Sequence, residues 1–280
     1  VNEPTGSRLW RIHVSSATPG RGSPLVNIPA AAINPSLSRS MPGQSGRLAF
    51  QTIARDVDLH LMDLEVGLVN GTIESRPFSN STRIEGSARF SRDGGRIAFS
   101  SYRSGGPEVW VSGGDGSGLQ QVTALGATGV LMGEWSPDGT RIAFEAAIAG
   151  NTDVFVVGSD GGHLTRLTTE SSMEGVPAWS RDGQWIYFAS TRAGAIPDLW
   201  RMPSSGGEPT RLTQNGGFEP RESSDGRYLY YLDRHPGGAP IDGNLMRIPV
   251  DGGQPERVLE HLWPFLWAIT DSGIVFITRE

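Results

Sequence analysis

Short apolar stretches alternate with glycine-rich turns along most of the chain. The stretches contain many β-branched and aromatic residues, as in residues 96–99 (RIAF) and residues 185–188 (WIYF). Such residues fit a pleated, half-buried surface, and Asp-Gly pairs between them suit tight hairpin turns. The pattern therefore predicts an all-β fold of short strands.

One unit of this pattern recurs at residues 88–123, 133–168, 177–213 and, more weakly, 220–259. It consists of an apolar stretch, Ser-x-Asp-Gly, a second stretch, an acidic residue, a third stretch with an aromatic residue, a Gly-rich turn and Leu-Thr or a similar pair. The marker serines are 45, 44 and 43 residues apart: Ser91, Ser136, Ser180 and Ser223. A four-stranded propeller blade has a period of roughly 40–45 residues.

The two ends of the chain carry complementary halves of the unit. Residues 264–280 contain only its first two strands, and residues 8–28 contain only its last two. The chain is thus predicted to form one domain, 1–280, a six-bladed β-propeller of four-stranded antiparallel blades whose last blade is shared between the N- and C-terminal strands. The whole blades are predicted at about 33–80, 84–123, 130–168, 174–213 and 217–259. Seven blades would need about 40 more residues, and an open sandwich would not need complementary half-units.

The repeat resembles that of TolB-like (WD-repeat-like) propellers. The residues that carry the resemblance are the turns at 135–139 and 179–183, the strand at 185–188, Asp198-Leu199-Trp200 and Arg211-Leu212-Thr213. The residue pattern of the repeat is most similar to that of the C-terminal propeller domains of bacterial winged-helix regulators. The resemblance implies a binding or sensing role, and a fold alone does not determine function.

Composition excludes several kinds of chemistry. The chain has no cysteine, and all 24 basic residues are arginine. Disulfides, thiolate chemistry and lysine-based catalysis are therefore absent. The net charge is −6 and the arginines are scattered, so we expect no nucleic-acid binding through this domain. No apolar run reaches the roughly 18–20 residues that span a bilayer, and we expect a monomer without membrane insertion.

No catalytic or metal site is predicted, and no cofactor. The nearest approach to a nucleophile elbow, Gly114-Asp115-Gly116-Ser117-Gly118, has its serine one place too late. The five histidines lie in different units without a metal-ligand spacing.

Candidate binding residues lie where the innermost strands begin, at the predicted rim of the central channel. Glu85 and Glu174 both stand six residues before a marker serine, and Glu134 and Glu219 lie nearby in their units. Four carboxylates at one mouth would attract cations or basic peptide segments. The alternative is that they are solvated and paired with arginines, namely Arg103 and Arg192.

Two arginines complete the predicted rim. Arg103 and Arg192 end the second strand of their units, and each is followed in its loop by an acidic residue, Glu108 or Asp198. We expect arginine–carboxylate bridges that brace these loops. The inserted loop at 234–242 adds His235 and Asp242 as candidates, because insertions in repeat proteins tend to fall on the binding face.

These observations favour a non-catalytic module that binds a protein or small ligand at the channel mouth and acts in sensing. A channel-centred lyase or hydrolase, with or without a metal ion, is the alternative. We expect a periplasmic or otherwise extracytoplasmic location.

Overall fold

The structure is a computed structural model, and it describes residues 7–12, 23–28, 32–38, 47–53, 57–63, 75–78, 81–233, 243–270 and 273–279. In this part of the chain all regular structure is β, in six four-stranded antiparallel sheets. The fold is a six-bladed propeller, as the repeat predicts. No helix with the length and hydropathy needed to cross a membrane occurs in these residues.

Five blades follow chain order. Blade 1 contains β3 (Ala32–Leu37), β4 (Arg47–Ile53), β5 (Val57–Asp63) and β6 (Ser75–Pro77). Blade 2 contains β7 (Glu85–Phe90), β8 (Arg96–Ser101), β9 (Glu108–Gly113) and β10 (Gln120–Gln121). Blade 3 contains β11 (Gly129–Trp135), β12 (Arg141–Ile148), β13 (Asn151–Gly158) and β14 (Thr165–Arg166).

Blade 4 contains β15 (Glu174–Trp179), β16 (Trp185–Ser190), β17 (Asp198–Pro203) and β18 (Thr210–Arg211). Blade 5 contains β19 (Phe218–Glu222), β20 (Tyr228–Leu232), β21 (Gly243–Pro249) and β22 (Glu256–Leu262).

The sixth blade is shared by the two ends of the chain. It contains β1 (Ser7–Ile12), β2 (Ser23–Ile28), β23 (Trp267–Thr270) and β24 (Gly273–Arg279), in the order β2-β1-β24-β23. Antiparallel pairing of β1 with β24 runs from Ser7 opposite Arg279 to Ile12 opposite Ile274. The predicted shared blade is confirmed.

The Ser-x-Asp-Gly sequence forms the turn between the first and second strands of a blade. The Ser136 hydroxyl donates to Asp138 Oδ1 (2.6 Å) and accepts from the backbone N of Arg141 (2.9 Å). The hydrogen bond from the Ser136 hydroxyl and one from the backbone N–H of Thr140 favour the ionised carboxylate. They lower the pKa of Asp138 to about 2. The same serine–aspartate bond recurs at Ser91, Ser180 and Ser223.

The acidic residue at or near the start of the third strand is buried, and it forms hydrogen bonds to the fourth strand and the residues that follow it. Asp153 is fully buried. It accepts from the Thr168 hydroxyl (3.3 Å) and from Arg166 Nη2 (2.5 Å), while Thr168 Oγ1 accepts from the backbone N of Val154 (2.9 Å). The Leu-Thr pair of the repeat thereby joins the fourth strand to the third. Equivalent bonds join Thr123 to Glu108 and Thr213 to Asp198.

A bulge interrupts the first strand of each of blades 1 to 5. At this bulge the backbone has positive φ at Ser87 (54°), Val176 (50°) and Glu219 (56°). An extra residue in one strand bends it and redirects its side chains. A β-branched residue with positive φ is strained, so the neighbouring atoms must hold Val176 in this conformation.

By its contacts the chain divides into two compact units. One contains Val1–Gly105, Trp110–Gln120 and Phe265–Glu280, and the other Gly106–Val109 and Gln121–Pro264. In the first, apolar side chains of blades 1 and 2 form one buried cluster, against which Trp110 packs. In the second, blades 3 and 4 share a buried cluster against which Trp200 packs. Trp110 and Trp200 thus each pack against a cluster to which two neighbouring blades contribute.

Candidate binding site

Two of the predicted rim carboxylates lie inside their blades, and an arginine binds each. Glu174 is fully buried, and its Oε1 accepts from Arg192 Nε (2.9 Å), from Arg192 Nη2 and from the Ser190 hydroxyl (2.9 Å). Glu85 is equally buried and pairs in the same way with Arg103. Two repeat units therefore build the same internal ion pair.

Aromatic rings fix both arginines. The Cζ of Arg192 lies 5.5 Å from the ring centre of Phe188 and 4.9 Å from that of Trp200. In blade 2, Arg103 lies 5.5 Å from Phe99 and 5.0 Å from Trp110. A guanidinium over aromatic faces gains cation–π attraction, so these side chains are held rather than free to swing.

The predicted bridges within the loops are wrong. Arg103 pairs with Glu85 and not with Glu108, and Arg192 pairs with Glu174 and not with Asp198. Asp198 instead pairs with Arg211 Nη2 at 2.5 Å. The reason is strand register: Glu85 and Glu174 stand directly opposite serines at the end of the second strand, two residues before the arginine.

The other two rim carboxylates meet at one arginine. Arg221 Nη1 lies 2.8 Å from Glu134 Oε1, and Arg221 Nη2 lies 2.9 Å from Glu219 Oε1. The contact with Glu134 joins β19 of blade 5 to β11 of blade 3. Burial acts to lower the pKa of Arg221, but the two carboxylates outweigh it and raise that pKa. Sequence reasoning missed Arg221, although Arg89 occupies the same place, two residues before the marker serine.

The four predicted rim carboxylates are therefore paired with arginines, the alternative that the sequence left open, and three of them are buried rather than solvated. Glu85, Glu174 and Glu219 are buried and paired, and the side chain of Glu134 is 30% exposed. The negative charges of these four glutamates are mainly neutralised by arginines within the fold. His235 and Asp242 lie outside the described residues.

An open, mostly polar groove of about 410 Å³ lies at one end of blade 4. We call this the leading end of a blade, where its first strand begins and its second strand ends. One wall of the groove precedes β15 and the other follows β16; its lining is Glu170, Ser171, Ser172, Thr191, Arg192, Gly194 and Ala195. The side chain of Arg192 is 16% exposed and is the cation of this groove.

Exposed large apolar side chains also occur at leading ends. Ile84 precedes β7 and is 53% exposed, and Tyr102 follows β8 and is 36% exposed. The backbone N of Tyr102 donates to the carbonyl of Ile84 (3.1 Å), so the two residues are neighbours. Leu131, near the start of β11, is 44% exposed.

One further carboxylate stands out that the sequence did not reveal. Glu145 of β12 accepts from the backbone N of Val176 in the next blade (2.5 Å). Burial raises the pKa of Glu145 to about 7, against the opposing effect of this hydrogen bond. Only its tertiary surroundings set it apart from the other glutamates.

In the part of the chain that the structure describes, no three histidine, aspartate or glutamate residues are grouped so that they could hold a metal ion.

Comparison with known proteins agrees with the fold. Residues 130–258 match the TolB beta propeller domain family. A curated relative, an uncharacterized protein of Agrobacterium fabrum, is 29% identical over 103 residues, which are 34% of this chain and 34% of that protein. The match thus spans about a third of the relative's length.

Solved structures are similar over nearly the whole chain. A protein of Agrobacterium tumefaciens provisionally described as TolB has a TM-score of 0.81 at 20% identity, covering 98% of both chains. TolB from Acinetobacter baumannii has a TM-score of 0.67 at 17% identity, covering 98% of this chain and 66% of that one. A chain of a nidogen/laminin complex has a TM-score of 0.65 at 13% identity, covering 97% and 98%. At these identities the likeness establishes a TolB-like propeller fold.

Proposed function

We propose that this chain is a non-catalytic module that binds polypeptide segments at the leading ends of individual blades. The observation that carries the proposal is the exposure of Ile84 and Tyr102 at the leading end of blade 2 and, separately, of Leu131 at that of blade 3. The TolB-like fold supports protein binding in general. A sensing role and a periplasmic location belong to the same proposal and are supported only by the resemblance to TolB-like propellers.

The apolar residues suit anchoring of a partner. Burying one such side chain contributes roughly 1.5–3 kcal/mol. Tyrosine is enriched at interfaces because it has a large apolar body and a polar tip. Ile84 and Tyr102 are neighbours through a backbone hydrogen bond, so one partner side chain can contact both.

The groove of blade 4 suits polar recognition. Arg192 is held from behind by Glu174 and by two aromatic rings, so its position is set before a partner arrives. Preorganised donors lose less conformational entropy on binding. The exposed Glu170 and the hydroxyls of Ser171 and Ser172 add acceptors and donors to the same walls. No arrangement in the described residues favours the lyase or hydrolase alternative.

A display selection tests the proposal. Random dodecapeptides would be selected on the immobilised chain, and the affinity of the selected peptides measured by fluorescence anisotropy. We expect the double variant Ile84→Ser, Tyr102→Ser to bind at least about 10-fold more weakly, since two anchors are lost. Leu131→Ser tests the exposed side chain of blade 3 separately, and it should weaken the binding of peptides that contact this blade.

The matched control is Leu164→Ser. Leu164 is 44% exposed, as Leu131 is, but it precedes the fourth strand of blade 3 and so lies at the opposite end of that blade. This control should bind as the wild type does. Equal affinity of all variants, or a selection that yields no peptide above the background of an unrelated protein, would contradict the proposal.

A further inference from the structure

We propose that the groove at the leading end of blade 4 binds an uncharged amide group of a polypeptide and discriminates against a carboxylate. The amide is that of the main chain or that of an asparagine or glutamine side chain. This inference rests on the proposed function and names the chemical group that the groove accepts. Two residues that line the groove determine the specificity, Arg192 and the exposed Glu170.

The charge of Arg192 is already neutralised inside blade 4. Its Nε and Nη2 both donate to Oε1 of Glu174, which is fully buried. Its Nη1 donates to none of the residues that the structure describes, although Arg192 lines the groove. The arginine therefore offers a ligand a hydrogen-bond donor without an uncompensated positive charge.

The other polar groups of the groove favour a ligand that both accepts and donates hydrogen bonds. Thr191 Oγ1 accepts from the backbone N of Met173 (3.0 Å), which joins the two walls. Because Glu174 neutralises Arg192, the carboxylate of Glu170 leaves the groove with a net negative charge. An amide supplies an oxygen for Arg192 Nη1 and an N–H for Glu170, whereas an ionised carboxylate has no proton to donate and is repelled.

The repeat shows that a blade can fold without this ion pair. In blade 4, Glu174 stands opposite the residue two positions before Arg192. In blade 3 the same two places hold the apolar residues Val130 and Ile148. Replacing a buried ion pair by apolar residues is often neutral or stabilising. The fold of a blade thus does not require the pair, and recognition by the groove accounts for its presence in blade 4.

Binding of three short peptides to the intact chain tests the inference. They are blocked peptides Gly-Gly-X-Gly-Gly, in which X is glutamine, glutamate or methionine, and NMR follows the backbone amide signals of Ser172, Thr191 and Gly194. The glutamine peptide should shift these signals saturably. The glutamate peptide should bind at least about 5-fold more weakly at low ionic strength, which is the effect of one like charge at contact distance in water. Added salt should reduce this difference because it screens exposed charges.

The methionine peptide distinguishes the two sources of the amide. Methionine has nearly the length of glutamine but no side-chain amide. Equal binding of the methionine and glutamine peptides assigns the groove to a main-chain amide, and weaker binding of the methionine peptide assigns it to a side-chain amide. Either result supports recognition of an uncharged amide, provided that the glutamate peptide binds more weakly than the glutamine peptide.

Charge-matched variants identify the groups responsible. Glu170→Gln removes the exposed negative charge, so the preference for glutamine over glutamate should shrink to less than about 2-fold. Glu208→Gln removes another exposed charge, before the fourth strand of blade 4 and so at its opposite end, and should leave the preference unchanged. The double variant Glu174→Val, Arg192→Ile reproduces the residues of blade 3. It should stay folded, and its affinity for the glutamine peptide should fall about 10-fold because the donor is lost.

Two results would overturn the inference: a glutamate peptide that binds as tightly as the glutamine peptide, or groove signals that do not shift at millimolar peptide. Both are measured on the wild-type chain, so they decide the question even where a variant folds poorly. Failure of the proposed function looks different. It appears as a display selection that yields no peptide, or as unchanged affinity after Ile84→Ser, Tyr102→Ser in blade 2.

Discussion

Thr168 should be among the most sensitive small residues of this fold. Its hydroxyl accepts from the backbone N of Val154 (2.9 Å) and donates to Asp153 (3.3 Å), and all three residues are buried. Thr168→Val keeps the shape but removes both bonds. A hydrogen bond to a charged group contributes about 1.5–3 kcal/mol, and a buried N–H left without a partner costs about 1–3 kcal/mol. We expect a loss of about 2–4 kcal/mol.

Urea unfolding followed by circular dichroism measures this loss, and calorimetry should show a melting temperature lower by roughly 4–10 °C. The control is Thr169→Val, the next residue, which is exposed; it should stay within about 0.5 kcal/mol of wild type. The reasoning is refuted if Thr168→Val is no less stable than Thr169→Val, because the hydroxyl would then not close the blade.

Three further predictions follow from the ion pairs, the turns and the shared blade. Glu174→Gln should destabilise by about 3 kcal/mol, since it leaves Arg192 largely buried beside a neutral amide, whereas Glu170→Gln in the exposed groove wall should have little effect; urea unfolding measures both. The pKa of Asp138 is lowered to about 2, so its contribution is present above about pH 4 and lost as pH falls toward 2; the difference in urea midpoint between wild type and Asp138→Asn should shrink over this range, and a constant difference would contradict it. Deleting residues 266–280 removes β24, one of the two strands that pair with β1, so the product should aggregate or unfold, and a folded monomer by size-exclusion chromatography would refute the shared blade.

Local chemistry made much of the fold predictable. The Ser-x-Asp-Gly turn forms from hydrogen bonds among residues adjacent in the chain, so the motif reports the turn directly. The spacing of the marker serines predicts the length of one blade, because each repeat folds as one four-stranded sheet. Complementary half-units at 8–28 and 264–280 were enough to predict that the ends share a blade.

The candidate site was predictable only in part. The sequence placed Glu85, Glu174, Arg103 and Arg192 at one rim and left open that the glutamates pair with arginines. It was wrong in expecting a solvated rim and bridges from the two arginines to the acidic residues of their own loops. The register of the first hairpin decides the pairing, since it places each glutamate beside the end of the second strand. That register was implicit in the repeat, so this part could have been derived.

By itself, then, the sequence determined the strand pattern, the number of blades and the closure, because these depend on short-range turns and on a repeated period. Only the tertiary structure decided which charges are neutralised and which are exposed. Glu134 and Arg221 are distant in sequence and meet because β11 and β19 converge. Glu145 has no distinguishing motif, and its pKa rises because neighbouring blades bury it. Burial and long-range proximity arise from packing, and no local pattern encodes them.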